Sequence, residues 1–251
     1  MKFEILGPLR VTDAGPVKVT GQRRRILLVA LLAHANTCVA NAELVDWLWP
    51  RRPPRSAHAT LHVYISTLHR VLEPRREPWQ PGKRLVTHPT GYVMHVEPDE
   101  LDSLRFEQLV VAAQPALETG DASRAHRLAS DALALWRGPG LADAAAVEAA
   151  RGEITRLEEL RLTAVTVRIK ASLALGRHGD VVPELTRLVA THPLHEPFYV
   201  LLMTALFRCG RRADALAVYK RARTVLAREV QVAPGPDLRR TEAAILAGEL
   251  D

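Results

Sequence analysis

The sequence predicts a mostly α-helical chain with a small β component: an α/β module over residues 1–97, then an all-α domain over residues 98–251. Three observations point there. Within the first 97 residues, short alternating apolar runs give way to three helical segments and a terminal hairpin. Beyond them, glycines at positions 120, 176 and 210 punctuate long helical stretches. The charge divides at the same place: residues 1–97 hold 14 Lys and Arg against 7 Asp and Glu, and residues 98–251 hold 20 against 21. The positive excess therefore belongs to the first module. Such an excess either neutralises phosphates or is simply a solvated basic surface, and charge alone does not choose.

Phe3, Ile5, Leu9 and Val11 are apolar at odd positions around Gly7-Pro8, and Val17 and Val19 continue the alternation after Gly15-Pro16. The chain is expected to open on short strands joined by tight turns. From Gln22 to about Ala35 the sequence turns helical, and Ile26, Leu27, Val29, Ala30, Leu31 and Leu32 leave it apolar nearly all round. Arg23, Arg24 and Arg25 sit in its first turn. Asn41 is a good N-cap for a second helix with Glu43 in its first turn and Leu44, Val45 and Leu48 inward, until Pro50, Pro53 and Pro54 end it. A third helix runs from about Ser56 to Leu72. Leu61, Ile65, Leu68 and Leu72 make one buried stripe, opposite His58, His62, Ser66, Thr67, His69 and Arg70. Leu85 and Val86, a turn at His88-Pro89-Thr90-Gly91, and Tyr92 to Val96 then read as a hairpin. Strands, three helices and a closing hairpin are the order of a winged helix-turn-helix. A third helix polar on its exposed face matches the DNA major groove, about 12 Å wide and able to admit one helix.

In the second domain Gly120-Asp121, Gly176-Arg177 and Gly210-Arg211 each separate two helical segments. The last two glycines are 34 residues apart, the tetratricopeptide period, and small residues recur five places after each glycine at Ala125, Val181 and Ala215. Pro193 falls where a helix must stop. About 22 extra residues interrupt the array between its first and second units. A helix pair cannot bury its apolar face alone, so stacked pairs follow, a tetratricopeptide-like bundle of the kind that binds protein. A helical bundle with coincidental spacing is the other reading.

The composition, 47% hydrophobic and 25% charged over 251 residues, is that of a folded globular protein. No apolar run approaches the roughly 20 residues of a membrane span. Met1 to Val11 lacks the basic stretch, apolar block and cleavage site of a signal peptide, so a cytoplasmic location is expected. Cys38 and Cys209 lie in apolar surroundings and are expected to be reduced core thiols. The sequence contains no G-x-x-x-x-G-K-[ST], no G-x-G-x-x-G, no G-x-S-x-G and no cysteine pair at zinc spacing, so neither an enzyme nor a bound cofactor is expected. His58 and His62 stand four apart on one helix face, a spacing that could hold a metal, but no carboxylate or thiol lies near them in sequence. They either approach DNA or are simply exposed.

The segments PLRV, GQRRRILLVALLAHAN, LVDWLWP, LHVYISTLHRVLE and LVTHPTGYVMHV together resemble the OmpR-type DNA-binding domain, and more narrowly that of the Streptomyces antibiotic regulatory protein family. GLADAAA after LALWRGP, and HPLHEPFYVLLMTALFRCGRRADALAVYKRAR followed by PGPDLRR, resemble that family's bacterial transcriptional activator domain. The similarity covers almost the entire chain. It implies a sequence-specific transcriptional activator for a secondary-metabolite gene cluster, in which the first domain binds direct repeats about one DNA turn apart. The helical domain would support self-association, as a dimer on DNA, and contact with RNA polymerase holoenzyme. A ligand-sensing repressor with the effector in the helical domain is the rival, as is a scaffold whose winged helix binds protein.

Candidate residues follow. Arg23, Arg24 and Arg25 at a helix start are placed to position the domain on phosphates, with at least one expected to make an internal salt bridge instead. Thr60, His62, Val63, Ser66, Thr67, His69 and Arg70 are the candidates for the groove, Val63 against a thymine methyl. His88 and Thr90 sit at the tip of the wing, and Tyr92 offers either a hydroxyl to a phosphate or a ring to the core. In the resembled family the loop that here carries Arg51, Arg52 and Arg55 is a candidate polymerase surface; a solvated charge run is the alternative. Arg55, next to the third helix, is also counted with the DNA-facing group. The family usually has arginines at the positions of Thr67 and His69. Their absence argues against carrying over a guanine contact to Thr67 and predicts weaker phosphate binding along this helix.

Overall fold

The computed structural model describes residues 1–75, 80 and 82–250. The chain begins with the winged helix-turn-helix. Strands β1 (Lys2–Glu4) and β2 (Arg10–Thr12) pair antiparallel, with Phe3 opposite Val11 and both buried. Helix α1 (Gln22–Ala33) buries Leu27 to Leu32 without a break, as its all-round apolar sequence requires. A short strand β3 (Cys38–Ala40) leads into α2 (Asn41–Leu48), and α3 (Ala57–Leu72) buries Leu61, Ile65, Leu68 and Leu72. The wing is β4 (Leu85–His88) and β5 (Gly91–Met94); β5 lies centrally in a three-stranded antiparallel sheet of order β3-β5-β4. At Gly91, which pairs with Ala40, a Cβ would lie only 1.9 Å from the Val39 carbonyl oxygen, so the position requires glycine.

Helices α4 (Asp102–Glu118), α5 (Ala122–Ala134), α6 (Arg151–Ala174), α7 (His178–Thr191), α8 (Glu196–Arg208), α9 (Arg212–Glu229) and α10 (Pro236–Ala247) complete the chain. Gly120, Gly176 and Gly210 stand at the three helix–helix turns with φ of +83°, +75° and +74°, left-handed backbone that ends a helix at little cost only in glycine. Ala125, Val181 and Ala215 are all buried. The 22-residue interruption contains two single-turn 3₁₀ segments, Ala142–Ala144 and Glu148–Ala150, and lengthens α6. No helix among the described residues is long and apolar enough to cross a membrane.

Two compact units emerge from the contacts, and neither is one continuous stretch. The first takes residues 1–111 and 131–163, the second residues 112–130 and 164–251. The winged helix therefore shares its unit with the 3₁₀ segments and the start of α6. In the second unit Ala113, Ala116, Ala125, Ala129, Val167 and Ala171 form a core of mostly small side chains, which brings α4, α5 and α6 close. Farther along, α8 packs against α7, α9 and α10.

Four expectations need correction. Cys38 and Cys209 are free but exposed. The sheet turns Val39 inward and leaves Cys38 on its outer face, and Cys209 lies just past the last turn of α8. Asn41 is the first residue of α2 rather than its cap: its N–H is taken by the Thr90 carbonyl oxygen, and Ala40 occupies the cap position. Val17 and Val19 form no strand; the segment is tied back by one bridge between Thr12 and Pro16 and one hydrogen bond from Val17 to Val11. His69 is the fourth and bears on the functional surface below. The strand β3 was not foreseen, because three residues are too few for alternation to register.

Candidate nucleic-acid interface

Helix α3 is 16 residues long, about 24 Å at 1.5 Å per residue, and carries no acidic side chain. His58, His62, Val63, Ser66 and Arg70 are exposed, and Thr60 and Thr67 are half-buried. Val63 is 61% exposed, which marks an apolar group turned to solvent beside polar ones. Arg70 forms no ion pair with a described residue. The Thr67 hydroxyl donates to the Val63 carbonyl oxygen one turn back, at 2.9 Å, so its donor is occupied within the helix.

His69 does not belong to this face. It is 7% exposed, with Nδ1 3.2 Å from a Glu73 carboxylate oxygen. The four-residue step from Leu61 to Ile65 carries on to His69 and places it on the core side, one position past Leu68. Burial opposes the charge on Glu73, but the backbone N–H groups of Arg84 and Lys83 and the His69 ring hold its carboxyl below the usual range. Glu73 thereby pins the end of α3 to the start of the wing, and its charge is spent internally.

Tyr92 is likewise internal. It is 2% exposed, and burial raises its phenol above the usual value. Its hydroxyl lies 2.7 Å from Nδ1 of His62, with the two rings edge to face. The hydroxyl that was a candidate for a phosphate instead holds a candidate base-reading side chain. At the wing tip His88 and Thr90 are exposed and hydrogen-bonded to each other at 3.1 Å.

The three arginines of α1 separate. Arg25 is the internal one: its Nε donates to Asp143 at 2.5 Å and its Nη2 to the Leu9 carbonyl oxygen at 3.0 Å. Asp143 also accepts from the Leu9 N–H at 2.6 Å. Arg24 folds back over Gly21, where a Cβ would lie 2.9 Å from its Nη2. Arg23 lies over the Trp49 ring, 5.4 Å from its centre, while Tyr64 stacks against the same indole. Arg51, Arg52 and Arg55 are exposed on the α2–α3 loop. A cleft of about 500 Å³ gathers Arg23, Trp49, Arg51, Arg52, Glu148 and Arg151. Sequence reasoning missed Arg151 and Asp143. Both lie in the interruption of the helical array; Asp143 falls within GLADAAA, but nothing in that motif names its partners.

The supports beneath this surface are also charged. Arg84 makes a two-pronged hydrogen bond to Glu100, at 2.7 and 2.9 Å, and this guanidinium holds the Glu100 carboxyl down at about 2. Asp102 accepts the N–H groups of Ile5 and Leu6 at 2.8 and 2.9 Å, yet burial pushes its carboxyl up to about 6.

Comparison with known proteins matches residues 101–246 to the bacterial transcriptional activator domain. Regulatory protein AfsR of Streptomyces griseus is 36% identical over 250 residues, which are 99% of this chain and 25% of that protein. Transcriptional regulator RedD of Streptomyces coelicolor is 37% identical over 98% of this chain and 71% of its own. Regulatory protein DnrI of Streptomyces peucetius is 35% identical over 99% and 93%. The chain therefore spans a quarter of the length of AfsR and nearly all of DnrI. A solved structure of Mycobacterium tuberculosis EmbR, in complex with a low affinity phosphopeptide, matches 99% of this chain and 65% of its own at 34% identity, with a TM-score of 0.93.

Proposed function

Because the chain belongs to the Streptomyces antibiotic regulatory proteins, transcriptional activators that carry the bacterial transcriptional activator domain, we propose that it binds direct repeats in the promoters of a secondary-metabolite gene cluster and recruits RNA polymerase there. The observation that carries this reading is the free face of α3. Its acid-free exposed residues, His62, Val63 and Ser66 at the centre with Arg70 toward the end, match a groove lined by base edges and flanked by phosphates. Arg24 positions the domain on the backbone. Arg51 and Arg52, around the cleft that Arg151 also enters, form the polymerase contact. Arg55, His88 and Thr90 extend the DNA-facing surface at its two ends. The helical domain holds two chains head to tail, which raises affinity for paired repeats by making the second binding event effectively intramolecular.

A second reading has one observation in its favour. A cavity of about 350 Å³ in the second unit combines apolar Val200, Leu201 and Pro236 with Lys170, Glu196 and Asp237. That is within the size range, about 300–1,000 Å³, of small-molecule sites, and suits an effector of a ligand-sensing repressor.

The test is a salt titration of the full chain on a duplex with two repeats from the promoter beside its own gene. If four to six phosphates are neutralised per domain, log K falls against log salt with a slope of about −4 to −5 per domain. A half-turn insertion between the repeats removes the advantage of two over one. A flat salt response overturns DNA binding; equal affinity for all spacings overturns the coupling of chains.

A further inference from the structure

We propose that Tyr92 sets the base preference of His62 by fixing its tautomer, so that α3 presents a hydrogen-bond donor to the groove and disfavours cytosine at the position His62 faces. The inference rests on the DNA-reading role given to α3 above, and deepens it.

Tyr92 sits on β5, flanked by Val39 of β3 and Thr87 of β4 through backbone pairing on both sides. Only 2% of the residue is exposed, so its hydroxyl has little access to water as a partner. Burial also favours the neutral phenol, which keeps its proton to donate. Among the described residues, the group within reach of that proton is Nδ1 of His62, at 2.7 Å. Were Nδ1 to carry the proton and donate instead, the hydroxyl proton would have no acceptor among the described residues, which is costly for a group so little exposed to water. Nδ1 is therefore the acceptor. A neutral imidazole carries one proton, so it lies on Nε2. His62 is exposed, and its Nε2 makes no hydrogen bond to a described residue. The helix thus presents an N–H whose direction and chemistry are fixed from behind.

The major groove distinguishes bases by such groups. Guanine presents acceptors at N7 and O6, adenine at N7 and thymine at O4, while cytosine presents the N4 amino donor. An Nε2–H meets an acceptor on three bases and a second donor on cytosine. A histidine with no such partner would adapt by moving its proton to Nδ1, and cytosine would be tolerated. Tyr92 is thus a positioning residue for specificity, and its effect reaches DNA only through His62.

The experiment selects bound duplexes from a randomised library with the full chain and with Tyr92→Phe, and records ring ¹⁵N spectra of His62 in the free proteins. Wild type is expected to enrich a motif with one position depleted of cytosine and to show the proton on Nε2. Tyr92→Phe, which keeps the buried ring, should raise tolerance of cytosine there about fivefold, the factor one hydrogen bond carries, leave affinity for random DNA unchanged, and show mixed tautomers. His62→Gln, whose amide can donate or accept, should tolerate cytosine equally whether residue 92 is Tyr or Phe. The wild-type spectrum keeps the proposal falsifiable if Tyr92→Phe fails to fold. A proton on Nδ1 in the wild type overturns the proposal, as does unchanged discrimination in Tyr92→Phe. A uniform fall on specific and random DNA also overturns it, since Tyr92 would then be binding a phosphate. If the wild type enriches no sequence at all, DNA reading by α3 falls with it, an outcome distinct from the other three.

Discussion

In residues 1–111 and 131–163 several ties across sequence run through carboxylates that accept backbone N–H groups or grip arginines; in residues 112–130 and 164–251 charged ties such as Arg168–Glu184 are fewer, and small apolar side chains recur from helix pair to helix pair. Asp102 reaches the N–H groups of Ile5 and Leu6, Asp143 holds Leu9 and Arg25, and Glu100 grips the Arg84 fork. Each carboxylate joins elements that sequence neighbours could not join, and each has partners that no other residue supplies. The second unit works by multiplication: Ala113, Ala116, Ala125, Ala129 and Ala171 fill one core, and Val181 and Ala215 serve the later helix pairs. The difference teaches where each unit is brittle. A buried charge that loses its partner is costly, whereas a stacked array spreads its stability over many small contacts.

The sharpest way to break the comparison is at Asp143. Asp143→Ala leaves Arg25 half-buried without its carboxylate and the Leu9 N–H without its acceptor. A stability loss of about 3 kcal/mol is expected, read as a lower urea midpoint. A loss below ~0.5 kcal/mol, the size of an exposed pair, would mean the clasp is ornamental. In the second unit Ala215→Leu inserts three carbons into a fully buried position and should cost about 1–3 kcal/mol, with affinity for random DNA unchanged. A larger effect there than at Asp143 would reverse the contrast between the units.

Glu100 gives the clearest sign. Its carboxyl titrates near 2 in the folded chain, against an ordinary value of 4.5. The group therefore stabilises fully above about 4.5, and that contribution is lost as pH falls toward 2. Thermal melts of wild type and Glu100→Gln should differ most at neutral pH and converge as acid is added through this window. A constant difference at all pH values would show that the Arg84 pairing is not the source.

These contrasts also explain what the sequence could reveal. Periodicity found α3 and its core stripe because Leu61, Ile65, Leu68 and Leu72 repeat at helix spacing. The left-handed glycines were legible because a turn between helices leaves a local mark at Gly120, Gly176 and Gly210. Long-range polar clasps leave none: nothing around Asp143 announces Arg25, 118 residues away in sequence. His69 was misplaced for a related reason, since a polar residue beside a buried stripe reads as exposed until its acceptor, Glu73, is located. Tyr92 carried both a ring for the core and a hydroxyl for a partner, and only its position across from His62 decides between phosphate and protein. A basic module with the element order of a winged helix was legible in the sequence, but the compact unit that holds those elements runs over residues 1–111 and 131–163 and includes Asp102 and Asp143. Tests of DNA binding for this reason use the full chain.

The central claim is that α3 reads bases while the start of α1 only positions the domain. The most direct measurement compares His62→Ala and Arg24→Ala on a two-repeat operator and on random duplex at one salt concentration. His62→Ala should lower discrimination between the two DNAs by about 1–3 kcal/mol, and Arg24→Ala should weaken both by the same factor. If His62→Ala instead reduces specific and random binding equally, His62 reads no base, and the account of this surface is wrong.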